Sequence, residues 1–404
     1  MLTPNSQWRP QTVLLCHNYY QHRGGEDQIF EDEAALLESQ GHTVIRYSKS
    51  NDDIESIGLL KTACKAIWNR DCAAEVRDLI AEHQPDVLHS INTFPLLSAS
   101  IFYEAHQAGL PVVATVQNYR AFCAQSMCSR NGNACEACLG KLPWRAIAYG
   151  CYRGSRLGST VVSTMQVVHQ KRKTWQRYVD IMCLASEFSK SRYLQSGFTE
   201  EQIRIKPNFV LPDPGLGEGQ GDCAVFIGRL FREKGIPTLL EAWEKLPNPP
   251  QLKIFGDGPM VPEVEAAAKH NPNIVYRGFQ DPKLVRKELG NAGCLVFPST
   301  GYESLPKTII DALAVGTPTL GAAQASVPEL VQPGKTGLLW KPGDADSFVQ
   351  AIQSHYANRE NWPAMRAACR EDYERRFSAE VNYQMLLGIY REARCKRMEQ
   401  ATSA

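Results

Sequence analysis

The chain lacks any long apolar run. No segment approaches the ~20 uninterrupted apolar residues that a membrane-crossing helix needs. Val13–Leu15, near the N-terminus, is too short for the core of a secretion signal. Net charge is nearly absent too: 44 Lys and Arg stand against 43 Asp and Glu, a formal +1. No global field therefore recruits nucleic acid or an acidic partner, and any basic contact surface must be local. Low-complexity tracts and short internal repeats are also missing. These absences predict a soluble, cytoplasmic chain. Without an export signal, a disulfide framework is not expected either.

What is present suits an ordinary globular chain. At 404 residues, 43% hydrophobic and 22% charged, it can bury two cores. Strand-like and helix-like segments alternate. Thr12–His17, His42–Tyr47, Asp86–His89 and Pro111–Val116 read as strands, with helices over Glu26–Gln40 and around Leu97–Ala108. The pattern repeats downstream. Ala224–Ile227, Leu252–Phe255, Ile274–Tyr276, Cys294–Phe297 and Thr319–Leu320 are strand-like. Ile236–Lys245, Glu263–Lys269, Lys283–Leu289 and Thr308–Val315 are helical. Such alternation implies parallel sheets built from βαβ units. The Pro- and Gly-rich stretch Lys206–Gln220 reads as a linker. After Pro363, Asp372–Ala404 reads as one long helix. The expected fold class is α/β, two Rossmann-like domains facing across a cleft. Ligands in such folds gather at the C-terminal ends of the strands.

Three motifs can carry chemistry. Gly24-Gly25 follows the first strand and opens a helix, where bare backbone and a helix N-terminus suit an anion; a tight turn explains the pair equally. Gly228-Arg229-Leu230-Phe231-Arg232-Glu233-Lys234-Gly235 places Arg229 and Lys234 five positions apart in a loop after a strand. Such a pair suits a diphosphate, and the alternative is a solvated charged loop. The third motif runs from Phe297 to Gly316. Its Glu303 and Asp311 stand eight residues apart, the second one turn into a helix. Carboxylates accept hydrogen bonds from sugar hydroxyls, and helix-start amides take phosphate. Alone, Glu303 could be a cap and Asp311 a polar face residue.

The ordered set resembles the family 4 (group 1) retaining glycosyltransferases of the GT-B fold. The set runs GGED, GRLxxxKG, FGDGP, an E-x7-acid ahead of AxxxGxP, then PELVxxGxxG. The resemblance is strongest over 222–345. It implies domains at 1–205 and 206–375 and a C-terminal helix, 376–404, crossing back to the N-terminal domain. It implies Arg229 and Lys234 at the diphosphate of a nucleotide-sugar donor and Glu303 at the donor sugar. The amides of Ser304 and Leu305 would lie by the phosphates, Asp311 at the ribose, and Gly24 and Gly25 at the diphosphate from the N-terminal side. No catalytic metal is expected, because cations and helix amides neutralise the leaving group. The implied acceptor is a hydroxyl on a glycan or a lipid-linked glycan. Three departures stand out. Asp311 is one methylene shorter than the usual Glu. Pro306 brings no N–H to the helix start. Gln117 stands where many members carry a His near the sugar, and it cannot titrate. Other readings are a GT-B 2-epimerase and a non-catalytic glycan-binding protein.

Five of the thirteen cysteines fall between 123 and 151. Cys135-x2-Cys138, flanked by Cys123 and Cys151, suits a closed structural Zn²⁺, with Cys128 spare. Reduced thiols or a disulfide pair are the alternatives. A subset of the family is similar here, and the insertion, residues 120–155, is expected near the acceptor. Finally, His169–Tyr178 mixes cations with aromatics and could rest peripherally on the inner face of a membrane, as could Leu59–Trp68 more weakly. An ordinary surface helix with Trp175 packed inward is the alternative. A nucleic-acid role is not expected at this net charge.

Overall fold

The structure, a computed structural model, describes residues 8–21 and 24–402. It divides into two compact units. Unit 1 takes the described residues up to Ser126, Ala137–Pro207, and those from Asn382 onward. Unit 2 takes Met127–Glu136 and Asn208–Val381. No described helix is long and apolar enough to cross a membrane.

Unit 1 is built on six parallel strands: β1 (Thr12–Tyr19), β2 (Thr43–Ser50), β3 (Val87–Asn92), β4 (Val112–Val116), β7 (Ile181–Leu184) and β8 (Ile203–Ile205). Their order is β2-β1-β3-β4-β7-β8. Val13–Asn18 and all of β3 are buried, as expected of strands covered on both faces. The strand order turns between β1 and β3, which directs ligands to the loops after those strands. Helix Ala379–Thr402 belongs to this unit from Asn382 on. Its Tyr383 hydroxyl pairs with His42 Nε2 at 2.9 Å, its Tyr390 hydroxyl with His89 Nδ1 at 2.8 Å, and its Arg397 with Asp180 at 2.7 Å.

Unit 2 has its own six parallel strands: β9 (Ala224–Ile227), β10 (Leu252–Phe255), β11 (Ile274–Gly278), β12 (Cys294–Phe297), β13 (Thr319–Ala322) and β14 (Gly337–Trp340). They are ordered β11-β10-β9-β12-β13-β14. Here the order turns between β9 and β12, the strands that precede the Arg229–Lys234 and Glu303 loops. Trp243, stacked Trp340 and Phe348, Leu239 and Ile254 fill the core on one face.

Two sequence expectations need correction. The long C-terminal helix is two helices, Trp362–Arg376 and Ala379–Thr402. Phe377 buries its ring at the break, and Pro363 sits in the first helix's opening turn, where its missing N–H costs nothing. The stretch read as a linker is pinned to unit 2. Gly217, Gly219 and Gly221 donate backbone bonds to Val315, Gly290 and Asn291, and Arg366 donates to the Gly217 carbonyl at 2.8 Å. Three segments not picked out from sequence, β7, β8 and β14, complete the sheets.

Candidate functional site

In unit 2, β9 ends at Ile227 and the chain enters the Gly228–Gly235 loop. Gly235 has φ +78°, and a Cβ there would lie 1.9 Å from the Pro298 carbonyl oxygen, so only glycine lets this loop meet the one after β12. That meeting brings Lys234 Nζ to 2.6 Å from Glu303 Oε1. Ser299 Oγ donates to the same oxygen at 2.8 Å, and Ser326 Oγ donates to the Glu303 carbonyl at 3.0 Å. Burial pushes the Glu303 carboxyl up, but Lys234, Ser299 and Arg229 together outweigh it and hold it below its ordinary value. Glu303 is thus a fixed anion at neutral pH. Arg229 is exposed, its guanidinium 5.0 Å from the Phe231 ring centroid.

The helix Lys307–Ala314 follows this loop and is N-capped by Pro306. Pro306 contributes no N–H, so the free amides begin at Lys307. Leu305 is buried, and its carbonyl accepts from Asn208 Nδ2 at 3.0 Å; Ser304 is half-buried beside it. Asp311 lies one turn into the helix. Its Oδ1 is 3.7 Å from Arg286 Nη2 and 3.8 Å from Lys307 Nζ. Both are beyond hydrogen-bond reach, and among the described residues this buried oxygen receives no hydrogen bond. An unfilled acceptor between two cations is suited to a ligand hydroxyl.

A short hairpin from the cysteine-rich stretch completes this side. β5 (Ser129–Arg130) pairs antiparallel with β6 (Asn133–Ala134) across Asn131-Gly132, whose φ values of 54° and 81° make a type I′ turn. Thr300 Oγ1 donates to the Gly132 carbonyl at 2.6 Å, and Tyr302 OH donates to Glu136 Oε1 at 2.9 Å. The hairpin therefore grips the segment that ends in Glu303.

In unit 1, Gly24 caps the helix Gly25–Ser39 with extended backbone, and its N–H donates to Asp27 Oδ2 at 2.7 Å. Asp27 Oδ1 takes the His17 ring at 2.8 Å and the Tyr20 N–H at 3.2 Å. A Cβ on Gly25 would meet nothing within 4 Å, so the protein's own packing does not demand glycine there. Glu26 links this turn to the loop after β4: Asn118 Nδ2 donates to Glu26 Oε1 at 2.7 Å and Tyr20 OH to Oε2 at 2.7 Å. Gln117, nearly buried, lines a pocket at the ends of β3 and β4. Asn92, Phe94, Arg120, Gln166 and His169 also line it. The Arg120 guanidinium lies 4.6 Å from the Phe94 ring centroid. Burial pulls His169 down to about 4, so it is neutral there.

Sequence reasoning missed Ser299, Ser326, Asn208, Glu26 and Asn118. Only Glu26 carried a signal, as the acid after the glycine pair. Of the cysteines, Cys123, Cys138 and Cys151 belong to unit 1, and Cys128 and Cys135 to unit 2. Among the described residues no group of three or more His, Cys, Asp or Glu is gathered to hold a metal. In His169–Tyr178, Trp175 packs on Phe102 and Tyr178 on Tyr103 and His106. The aromatics of that segment thus serve the interior.

Residues 221–358 match the family described as Glycosyl transferases group 1. A sulfoquinovosyl transferase of Arabidopsis thaliana is 23% identical over 222 residues, which are 54% of this chain and 40% of that protein. A lipopolysaccharide 1,6-galactosyltransferase of Escherichia coli is 26% identical over 203 residues, 47% of this chain and 56% of that one. The chain thus spans about half the length of the curated relatives it matches. Among solved structures, Anabaena HepE in complex with UDP superposes with a TM-score of 0.66 at 15% identity, covering 93% of this chain and 99% of that one. The fold is the two-sheet α/β arrangement of GT-B proteins, and the match to the group 1 family lies within unit 2.

Proposed function

We propose that this chain is a retaining glycosyltransferase that moves a hexosyl unit from a nucleoside diphosphate sugar to a hydroxyl acceptor. The observation that carries the reading is the Lys234–Glu303–Ser299 cluster at the turning point of unit 2, with Arg229 on the same loop. An ammonium has three N–H donors. Lys234 spends one on Glu303 and keeps others for a diphosphate, beside the exposed Arg229 fork. Glu303, held ionised, accepts from sugar hydroxyls and favours positive charge at the anomeric carbon. The unfilled Asp311 oxygen takes a ribose hydroxyl, and the amides from Lys307 face the phosphates.

In the step itself the bond from the anomeric carbon to the β-phosphate oxygen breaks. The acceptor oxygen bonds to that carbon on the same face, and its proton passes to the departing phosphate oxygen. The two cations stabilise the charge that builds on the diphosphate. No side chain need titrate, so Gln117 in place of an imidazole is compatible with the step. The unit 1 pocket, with the amides of Asn92 and Gln117 and the Phe94 ring, suits a hydroxyl-bearing acceptor. The acceptor class proposed is a glycan or lipid-linked glycan, and lipopolysaccharide stands in the name of one curated relative.

The test is calorimetry and transfer assay over UDP-, GDP-, ADP- and dTDP-sugars, with the anomer of the product read by NMR. Folded protein that binds none of them, or an inverted product, overturns the reading. A structural zinc at Cys123, Cys135, Cys138 and Cys151 rests on sequence spacing alone. Metal analysis of the purified protein, and the melting temperature of Cys135→Ser, decide it: no zinc and no change in stability removes it.

A further inference from the structure

The 43 residues from Ala137 to Val179 contain eight Lys and Arg and no Asp or Glu, in a chain whose formal charge is +1. Four exposed large apolar side chains of unit 1 fall in the first part of that run. Trp144 is 61% exposed and Leu157 77%, and Leu142 and Tyr149 are exposed beside them. Lys141, Arg145, Arg153 and Arg156 are exposed among them, and the Arg145 guanidinium lies 5.4 Å from the Trp144 ring centroid.

Packing holds these groups together. Ala146 of helix Trp144–Tyr149, Val162 and Met165 of helix Arg156–Arg172, and Ile67 of helix Leu59–Ile67 meet in one buried cluster. The third helix adds Leu59 and Leu60, 81% and 86% exposed, and exposed Lys61. Its neighbourhood is mixed in charge: Asp52, Asp53 and Glu55 precede it, and Lys65 is paired with Asp71 at 2.7 Å. The acid-free stretch 141–157 is therefore the centre of the surface.

We propose that this face of unit 1 docks on an anionic lipid surface, with Trp144, Leu142 and Leu157 entering the headgroup boundary and Arg145, Arg153 and Arg156 meeting lipid phosphates. Exposed Leu and Trp interleaved with cations, and no acid to repel phosphate, are what such a boundary selects. The surface differs from His169–Tyr178, whose aromatic rings are spent on packing. The inference does not depend on the transferase reading, since its test reads partitioning rather than turnover.

The full chain is sedimented with phosphatidylcholine vesicles, with or without about 40% phosphatidylglycerol, at low and high salt. Binding is expected only with phosphatidylglycerol and is expected to weaken as salt rises. Arg145→Glu with Arg153→Glu, and separately Trp144→Ala with Leu157→Ser, should each lower the partition coefficient at least tenfold or so. These side chains are exposed, so melting temperatures should hold and show that the variants fold. A blue shift in tryptophan emission on adding vesicles should vanish in Trp144→Phe. Equal binding to phosphatidylcholine alone, native-like binding by both double variants, or equally strong binding to duplex DNA each overturns the proposal.

Discussion

A Lys–Glu pair in each unit invites comparison, because the two are closed over differently. In unit 1, Lys206 bonds Glu33 with the two side chains 2% and 0% exposed. His89 sits 3.4 Å from Glu33 and is itself held by Tyr390 OH and Thr115 Oγ1, both at 2.8 Å. In unit 2, Lys234 and Glu303 are 17% and 11% exposed and sit on two loops at the strand ends. The first pair is closed in by β3, β4 and two helices and is shut off from solvent. The second is open on one side, so its charges remain available to a ligand. The same two side chains are closed off in one unit and reachable from solvent in the other, according to what packs over them.

That contrast can be broken experimentally. The largest effect expected is on catalysis. Glu303→Ala should lower transfer efficiency roughly 10²–10³-fold, with circular dichroism and melting temperature close to native. Unfolding instead would make the unit 2 pair structural as well. Next comes Lys206→Met, which strands the Glu33 carboxylate and should cost ~3–5 kcal/mol in urea unfolding. Adding Glu33→Leu should recover most of that loss, and no recovery would mean the cost lay elsewhere than in the unpaired charge.

Acid acts on the buried histidines and on Glu303 over different ranges. His89, His169 and His355 are each pulled from 6.5 to about 4 by burial. A depressed histidine contributes its full stability above pH 6.5 and loses it as pH falls towards 4. Melting temperature should therefore decline over that window. Glu303 lies below its ordinary 4.5, so its contribution is fully present above pH 4.5 and goes only as pH falls through the lower folded value. The gap in melting temperature between native protein and Glu303→Gln should then stay constant from pH 7 to 5. The smallest effect is at Asp311. Asp311→Asn should weaken binding of the preferred nucleoside diphosphate about tenfold, while stability changes by less than ~0.5 kcal/mol.

The same contrast explains what could be read from the residues alone. Arg229, Lys234 and Glu303 lie in contiguous motifs, each on the loop after its own strand, so local pattern was enough to single them out as candidates. Ser299 could not be assigned in advance, because its bond to Glu303 depends on how the loop folds back. Asn118 meets Glu26 only because β1 and β4 flank β3, a fact of sheet order and not of spacing. β14 begins at Gly337 and spans four residues, too short for a periodicity to show. β7, Ile181–Leu184, is four residues long and buried throughout, so no alternation marks it as a strand. The C-terminal helix was legible as a helix, but Phe377 and Ser378, which break it, carry no proline or glycine signal.

The hairpin Met127–Glu136 has one more consequence. The backbone passes between the units at 126/127, 136/137, 207/208 and 381/382, four crossings and not one. Neither unit is a continuous piece of chain. A fragment cut at residue 208 would carry Arg229, Lys234 and Glu303 yet leave Thr300 and Tyr302 without Gly132 and Glu136. Nor would a graft of that fragment onto another N-terminal half bring its own grip along. The part of this protein that is interchangeable is smaller than the part that looks like a domain.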